Sequence, residues 1–111
     1  MGVRLEKPWR DLTAENVAAL AGELGVYQLA DAEGRVLRIG YAGGRTLFGL
    51  RSELQAALAA GEAAKFRTEV NAQYMSRYDE LLMVHKADHG GALPTGNAAE
   101  AGRRLGRLSP G

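Results

Sequence analysis

Between Gly25 and Arg45 the chain reads GVYQLADAEGRVLRIGYAGGR, and this stretch constrains the fold more than any other. Val26 to Ala30 is apolar and suited to a strand, DAEGR supplies the turn formers Asp31 and Gly34, and Val36 to Tyr41 resumes extended chain. The spacing predicts a β-hairpin. Gly40, Gly43 and Gly44 then break the second strand.

At 111 residues the chain is near the usual size of one domain and long enough to bury one modest core. Apolar residues make up 46% and the formal net charge is +1, which excludes both a strongly basic nucleic-acid binder and a disordered acidic segment. The absence of cysteine excludes a disulfide framework, a zinc knuckle and a thiol nucleophile, and fits a reducing cytoplasm. No apolar run approaches the roughly 20 residues that cross a bilayer, and no signal-peptide pattern follows the first basic residues, so a cytoplasmic location without membrane contact is expected. Oligomeric state is left open.

The hairpin needs neighbours. Residues 1–12 mix charge with Pro8 and Trp9 without a sustained period and read as an N-terminal arm, with Trp9 placed to dock on the core. Thr13 can cap a helix carrying Val17, Leu20, Ala21 and Leu24 on one face, stopped by Gly25. After the hairpin, Leu47, Leu50, Leu54 and Leu58 are spaced for a second helix ended by Gly61. KFRTEV alternates Lys65, Arg67 and Glu69 against Phe66, Thr68 and Val70 as a half-buried strand. A last helix is expected from Ser76, with Asp79 completing a relaxed capping box, Leu81, Leu82, Val84 and Ala87 buried, and Gly90 at its end. The expected fold is α+β: a small three-stranded sheet flanked by helices, antiparallel in preference to mixed, in one domain over residues 13–97. Residues 98–111 form a small basic C-terminal tail. No internal repeat is visible.

The motifs GVY at Gly25 to Tyr27 and RIG at Arg38 to Gly40 resemble the strand pair that names the GIY-YIG endonuclease superfamily. The resemblance continues in order through Arg51 in FGLRSEL, then KFRTEV, DELLMVH and PTGN, covering residues 25–97. It implies phosphodiester cleavage with one divalent metal, usually magnesium, held by a glutamate and waters. The first tyrosine would activate water and the arginine would steady phosphate charge. Carried onto this chain, the catalytic positions are Tyr27, Arg38, Arg51 and His85, with Gly40, Tyr41, Arg45 and Asn97 around the substrate.

Two of these positions depart from the family pattern. Arg38 stands where the second motif has tyrosine, and a guanidinium can grip an anion but cannot serve as a base. His85 falls, counting back from Pro94 and Asn97, on the position of the metal-binding glutamate, and Glu80 replaces it only if the helix is shifted. Imidazole suits transition metals better than magnesium, and His85 and His89 lie one helical turn apart, so a histidine-preferring ion is an alternative to magnesium. Tyr41 points to the opposite strand face from Arg38, and Arg45 rivals Arg51 as the phosphate arginine. Gly40, Gly43 and Gly44 could form an anion-binding concavity before the second helix, or simply a positive-φ loop. No P-loop lysine follows them, and HKADH lacks the glutamate of a zinc-protease helix.

The sequence therefore points to a divergent GIY-YIG-like domain without standard nuclease activity, binding nucleic acid or another anionic partner in the family cleft. Lys65, Arg67 and the arginine-rich tail could add to such binding. The alternatives are a metal-dependent DNA endonuclease, and a small enzyme using His85 as acid and base on a different substrate.

Overall fold

The computed structural model describes residues 4–44 and 47–97. Its elements run β1 (Arg10–Asp11), α1 (Ala14–Ala18), β2 (Gly25–Ala30), β3 (Val36–Ala42), α2 (Gly49–Ala60), β4 (Lys65–Val70) and α3 (Tyr74–Asp88). The sheet is antiparallel with strand order β1-β4-β2-β3, so it has four strands rather than the three expected. The fourth is the two-residue β1, which pairs Arg10 with Phe66 and Asp11 with Lys65. Two residues carry no period to read; their strand conformation is imposed by the open edge of β4.

The hairpin forms as expected, with Tyr27 opposite Gly40 and Leu29 opposite Arg38. Its turn is held by Asp31, whose Oδ1 accepts from the N–H groups of Glu33 and Arg35 at 3.0 and 2.8 Å. β4 returns on the other side of β2 after α2 crosses the sheet. One core lies on the side of α1 and α2, where Tyr27, Leu29, Phe66, Leu50 and Leu54 meet. The other lies under α3, where Val26 and Ile39 meet Tyr78, Leu81 and Leu82. Alternation along β2 thus sends Val26 and Tyr27 to opposite cores.

The segment expected as an arm contributes Leu5, only 1% exposed, to the core under α3 and Leu12 to the other. Trp9 joins neither core and covers the Arg67 guanidinium instead, whose Cζ lies 4.0 Å from the ring centroid.

Three helix boundaries differ from expectation. The Thr13 hydroxyl does accept from Asn16 N–H at 3.1 Å, but α1 is only five residues long. The backbone that would have continued it is used elsewhere: Glu23 O accepts the Leu50 N–H at 2.8 Å and so starts α2. That contact needs Gly49, whose φ is +54° and where a Cβ would lie 2.3 Å from Glu23 O. Leu47 consequently precedes α2 and is exposed. α3 begins at Tyr74 rather than Ser76, because the Asn71 side chain accepts from Gln73 N–H at 2.8 Å and turns the chain earlier. Its buried side is Tyr78, Leu81 and Leu82; Ala87 is exposed.

Candidate functional site

Tyr27 and Gly40 face each other across the hairpin, and the tyrosine ring lies over the glycine. A Cβ at Gly40 would sit 2.3 Å from the ring Cζ, so the missing side chain is what admits the ring. The buried Tyr27 hydroxyl donates to Glu53 Oε1 on α2 at 3.3 Å. Burial pushes the phenol well above its ordinary range; the Arg38 charge opposes this and Glu53 adds to it. Tyr27 therefore stays protonated near neutrality and serves as a donor.

Arg38 lies two residues before Gly40 and so shares the Tyr27 face of the sheet. Its Nη1 donates to both carboxylate oxygens of Glu62 at 3.2 Å. Glu62 is held just beyond the left-handed Gly61 that ends α2. Both side chains keep about a third of their surface exposed, 39% and 34%, so the pair is open to competition from another anion.

On the opposite face, Tyr41 stacks on Tyr74 with ring centroids 5.7 Å apart and meets the edge of Tyr78 at 4.9 Å. The Tyr74 hydroxyl accepts from the Gly44 N–H at 3.2 Å, tying the loop after β3 to the start of α3. Asn97 closes this region from below: its side chain accepts from Ile39 N–H at 2.7 Å and donates to Ile39 O at 2.8 Å. Apart from Glu62, which lies outside it on the far side of Arg38, these groups line one cleft of about 740 Å³ that straddles the β3 edge between α2 and α3. That volume is within the range of ligand pockets. All four tyrosines of the chain line it.

Of the residues singled out in the sequence, the cleft gathers Tyr27, Arg38, Gly40, Tyr41, Gly43, Gly44 and Asn97. Arg51 turns away, with Nη1 donating to Leu20 O at 3.4 Å and Cζ 5.6 Å from the Phe48 ring centroid. Arg45 lies outside the described residues, as do residues 1–3 and the basic tail. His85 is seven residues past Tyr78, about 10 Å further along α3, and does not line the cleft. Its ring stacks on His89 at 3.9 Å, and His89 Nδ1 donates to His85 O at 2.9 Å. Among the described residues no group of three or more His, Cys, Asp or Glu is placed to hold a metal ion. Glu80 is engaged with Arg77, which also donates to Glu69 at 2.9 Å.

The expected basic strand face is also engaged. Lys65 pairs with Asp11 at 2.9 Å, and Arg67, under Trp9, donates to Gln28 Oε1 at 2.7 Å. Gly40, Gly43 and Gly44 do not have positive φ, and two of the amides of an anion-binding loop are taken, Gly44 by Tyr74 and Leu50 by Glu23.

Glu53, Glu62, Tyr74 and Tyr78 were not among the residues the sequence pointed to. The i, i+4 spacing of Tyr74 and Tyr78 was the signal available for the aromatic pair. Nothing local marks the two glutamates.

The chain belongs to a family described as Domain of unknown function (DUF7508), whose family model matches residues 3–88. No curated protein and no solved structure matches it.

Proposed function

We propose that this domain is a binding module which holds an anionic ligand, a phosphate ester of nucleic-acid type, in the cleft at the β3 edge without hydrolysing it. The observation that carries this reading is that Arg38 stands in the place of one would-be reactive group and that Tyr27, the other, is held as a hydrogen-bond donor. Arg38 supplies a fixed, half-exposed cationic donor, and Tyr27 is a protonated donor already committed to Glu53. The resemblance of GVY and RIG to the GIY-YIG strand pair supports the choice of a phosphate ester. The same resemblance would call for a metal-binding carboxylate on the last helix, and α3 presents Tyr74, Met75 and Tyr78 to the cleft instead. Hard cations such as magnesium prefer oxygen ligands with carboxylate charge, which three such side chains do not provide.

The test is incubation with single-stranded, duplex and branched DNA in the presence of magnesium, manganese, nickel or zinc. The expected result is intact DNA in every case. Metal-dependent cleavage abolished by Tyr27→Phe would establish the endonuclease alternative.

A further inference from the structure

The cleft carries two kinds of contact at once, and their arrangement narrows the ligand. Arg38 is the only Lys or Arg among the described residues lining it, and Glu53 stands beside it as a carboxylate. A strand or duplex tract presenting several phosphates would meet one guanidinium and one repelling charge. The chain's formal charge of +1 adds little long-range attraction. One phosphate is what this lining can neutralise.

Three residues along β3, about 10 Å away by strand rise, Tyr41 offers an aromatic surface. It is braced on one side by Tyr74 and Tyr78, yet 38% of the residue remains exposed. Met75, 39% exposed, continues that apolar wall. A planar ring can lie here at little cost, because the tyrosine is already fixed in place. Between the two contacts the cleft passes Gly40, where the Tyr27 ring fills the place of the missing side chain and forms the wall that a ligand reaching from Arg38 to Tyr41 would follow. Glu53, which accepts from the Tyr27 hydroxyl, places a negative charge beside that wall and disfavours a second phosphate.

We propose that the unit bound is a single nucleoside monophosphate, its base on Tyr41, its sugar against the edge of Tyr27 and its phosphate at Arg38 in place of Glu62. This rests on the anion-binding reading above and names the ligand of that same cleft. Such a unit has two sources, a free mononucleotide or an unpaired nucleotide at the end of a nucleic-acid strand.

Calorimetric titrations with adenosine monophosphate, ribose phosphate, a short single strand and a duplex of the same sequence test it. Adenosine monophosphate is expected to bind about tenfold more tightly than ribose phosphate, the size of one base-stacking contact. Tyr41→Ala should remove that difference, and Tyr41→Phe should keep it, which separates stacking from loss of fold. The single strand should bind with a salt slope near one phosphate contact, and binding of adenosine monophosphate without the strand would identify the free nucleotide as the source. Equal binding of ribose phosphate and adenosine monophosphate would overturn the nucleoside assignment and leave anion binding standing. Tighter binding of duplex than of single strand would overturn it too. Absence of binding by every phosphate compound would overturn the anion-binding reading itself.

Discussion

The Asn97 side-chain amide bonds to both the N–H and the C=O of Ile39, at 2.7 and 2.8 Å, and so occupies the place of a neighbouring strand on the β3 edge. One side chain thereby satisfies two backbone groups that would otherwise present a template for edge pairing, and it fixes the floor of the cleft. Asn97 is 2% exposed, so water cannot readily substitute for it. Asn97→Ala is expected to cost about 2–4 kcal/mol, the sum of two orphaned buried backbone groups, read as a lower urea midpoint at unchanged slope. A cost below about 0.5 kcal/mol would mean that the edge is satisfied in another way.

Gly40 is predicted to be intolerant of even one methyl group. Its Cβ would overlap the Tyr27 ring at 2.3 Å, and the ring is walled in by the core on the α2 side. Gly40→Ala should therefore destabilise the domain by about 1–3 kcal/mol, and the double change with Tyr27→Leu should cost less than the two single changes added. Denaturant titration of the four proteins measures the coupling.

Removal of the Glu62 charge should affect ligand binding more than stability. The Arg38–Glu62 pair is about one-third exposed on both sides, so Glu62→Gln should change stability by no more than about 0.5 kcal/mol. The same change frees the guanidinium from its internal anion, and phosphate affinity should rise severalfold. Parallel thermal melts and phosphate-ester titrations of the two proteins check both halves of this expectation.

Acidification should weaken the fold through His85. Burial holds its imidazole below the ordinary value, His89 pushes it further down, and Asp88 opposes. As pH falls through the ordinary histidine range near 6.5, the unfolded chain takes up the proton first, so the folded state loses ground. The His85 contribution is thus fully favourable above that range and is lost as pH falls below it, through the lowered value of the folded state. Asp88, the other titratable partner, is held in its ionised form chiefly by its hydrogen bond to Arg4. Melting temperatures measured from pH 7.5 to 5 should fall less steeply for His85→Gln than for the parent chain.

The hairpin, the central helices and the order of elements were legible because each is a local pattern: the turn chemistry around Asp31, the Leu50 to Leu58 spacing, the alternation in KFRTEV. β1 was not, since its conformation comes from Phe66 and Lys65, more than fifty residues away. The early end of α1 has the same cause, a long-range bond between Glu23 and Leu50. The cleft was half legible. Tyr27, Arg38 and Gly40 stand in short motifs, whereas Glu53 and Glu62 come to them only because α2 crosses the sheet over β2. His85 and His89 have the right spacing for a two-ligand site, but spacing along one helix does not say that α3 reaches the cleft with its first turns rather than its last.

The central claim is that Arg38 makes the β3 cleft an anion-binding site that leaves its ligand intact. Fluorescence anisotropy of a labelled single-stranded oligonucleotide, titrated with the parent chain and with Arg38→Gln in the presence of magnesium and recovered for length analysis, tests it most directly. The account predicts an intact strand, bound by the parent chain and held at least tenfold more weakly by Arg38→Gln, in line with loss of a charge-assisted contact worth about 1.5–3 kcal/mol. Equal affinity of the two proteins, or a shortened strand, would contradict it.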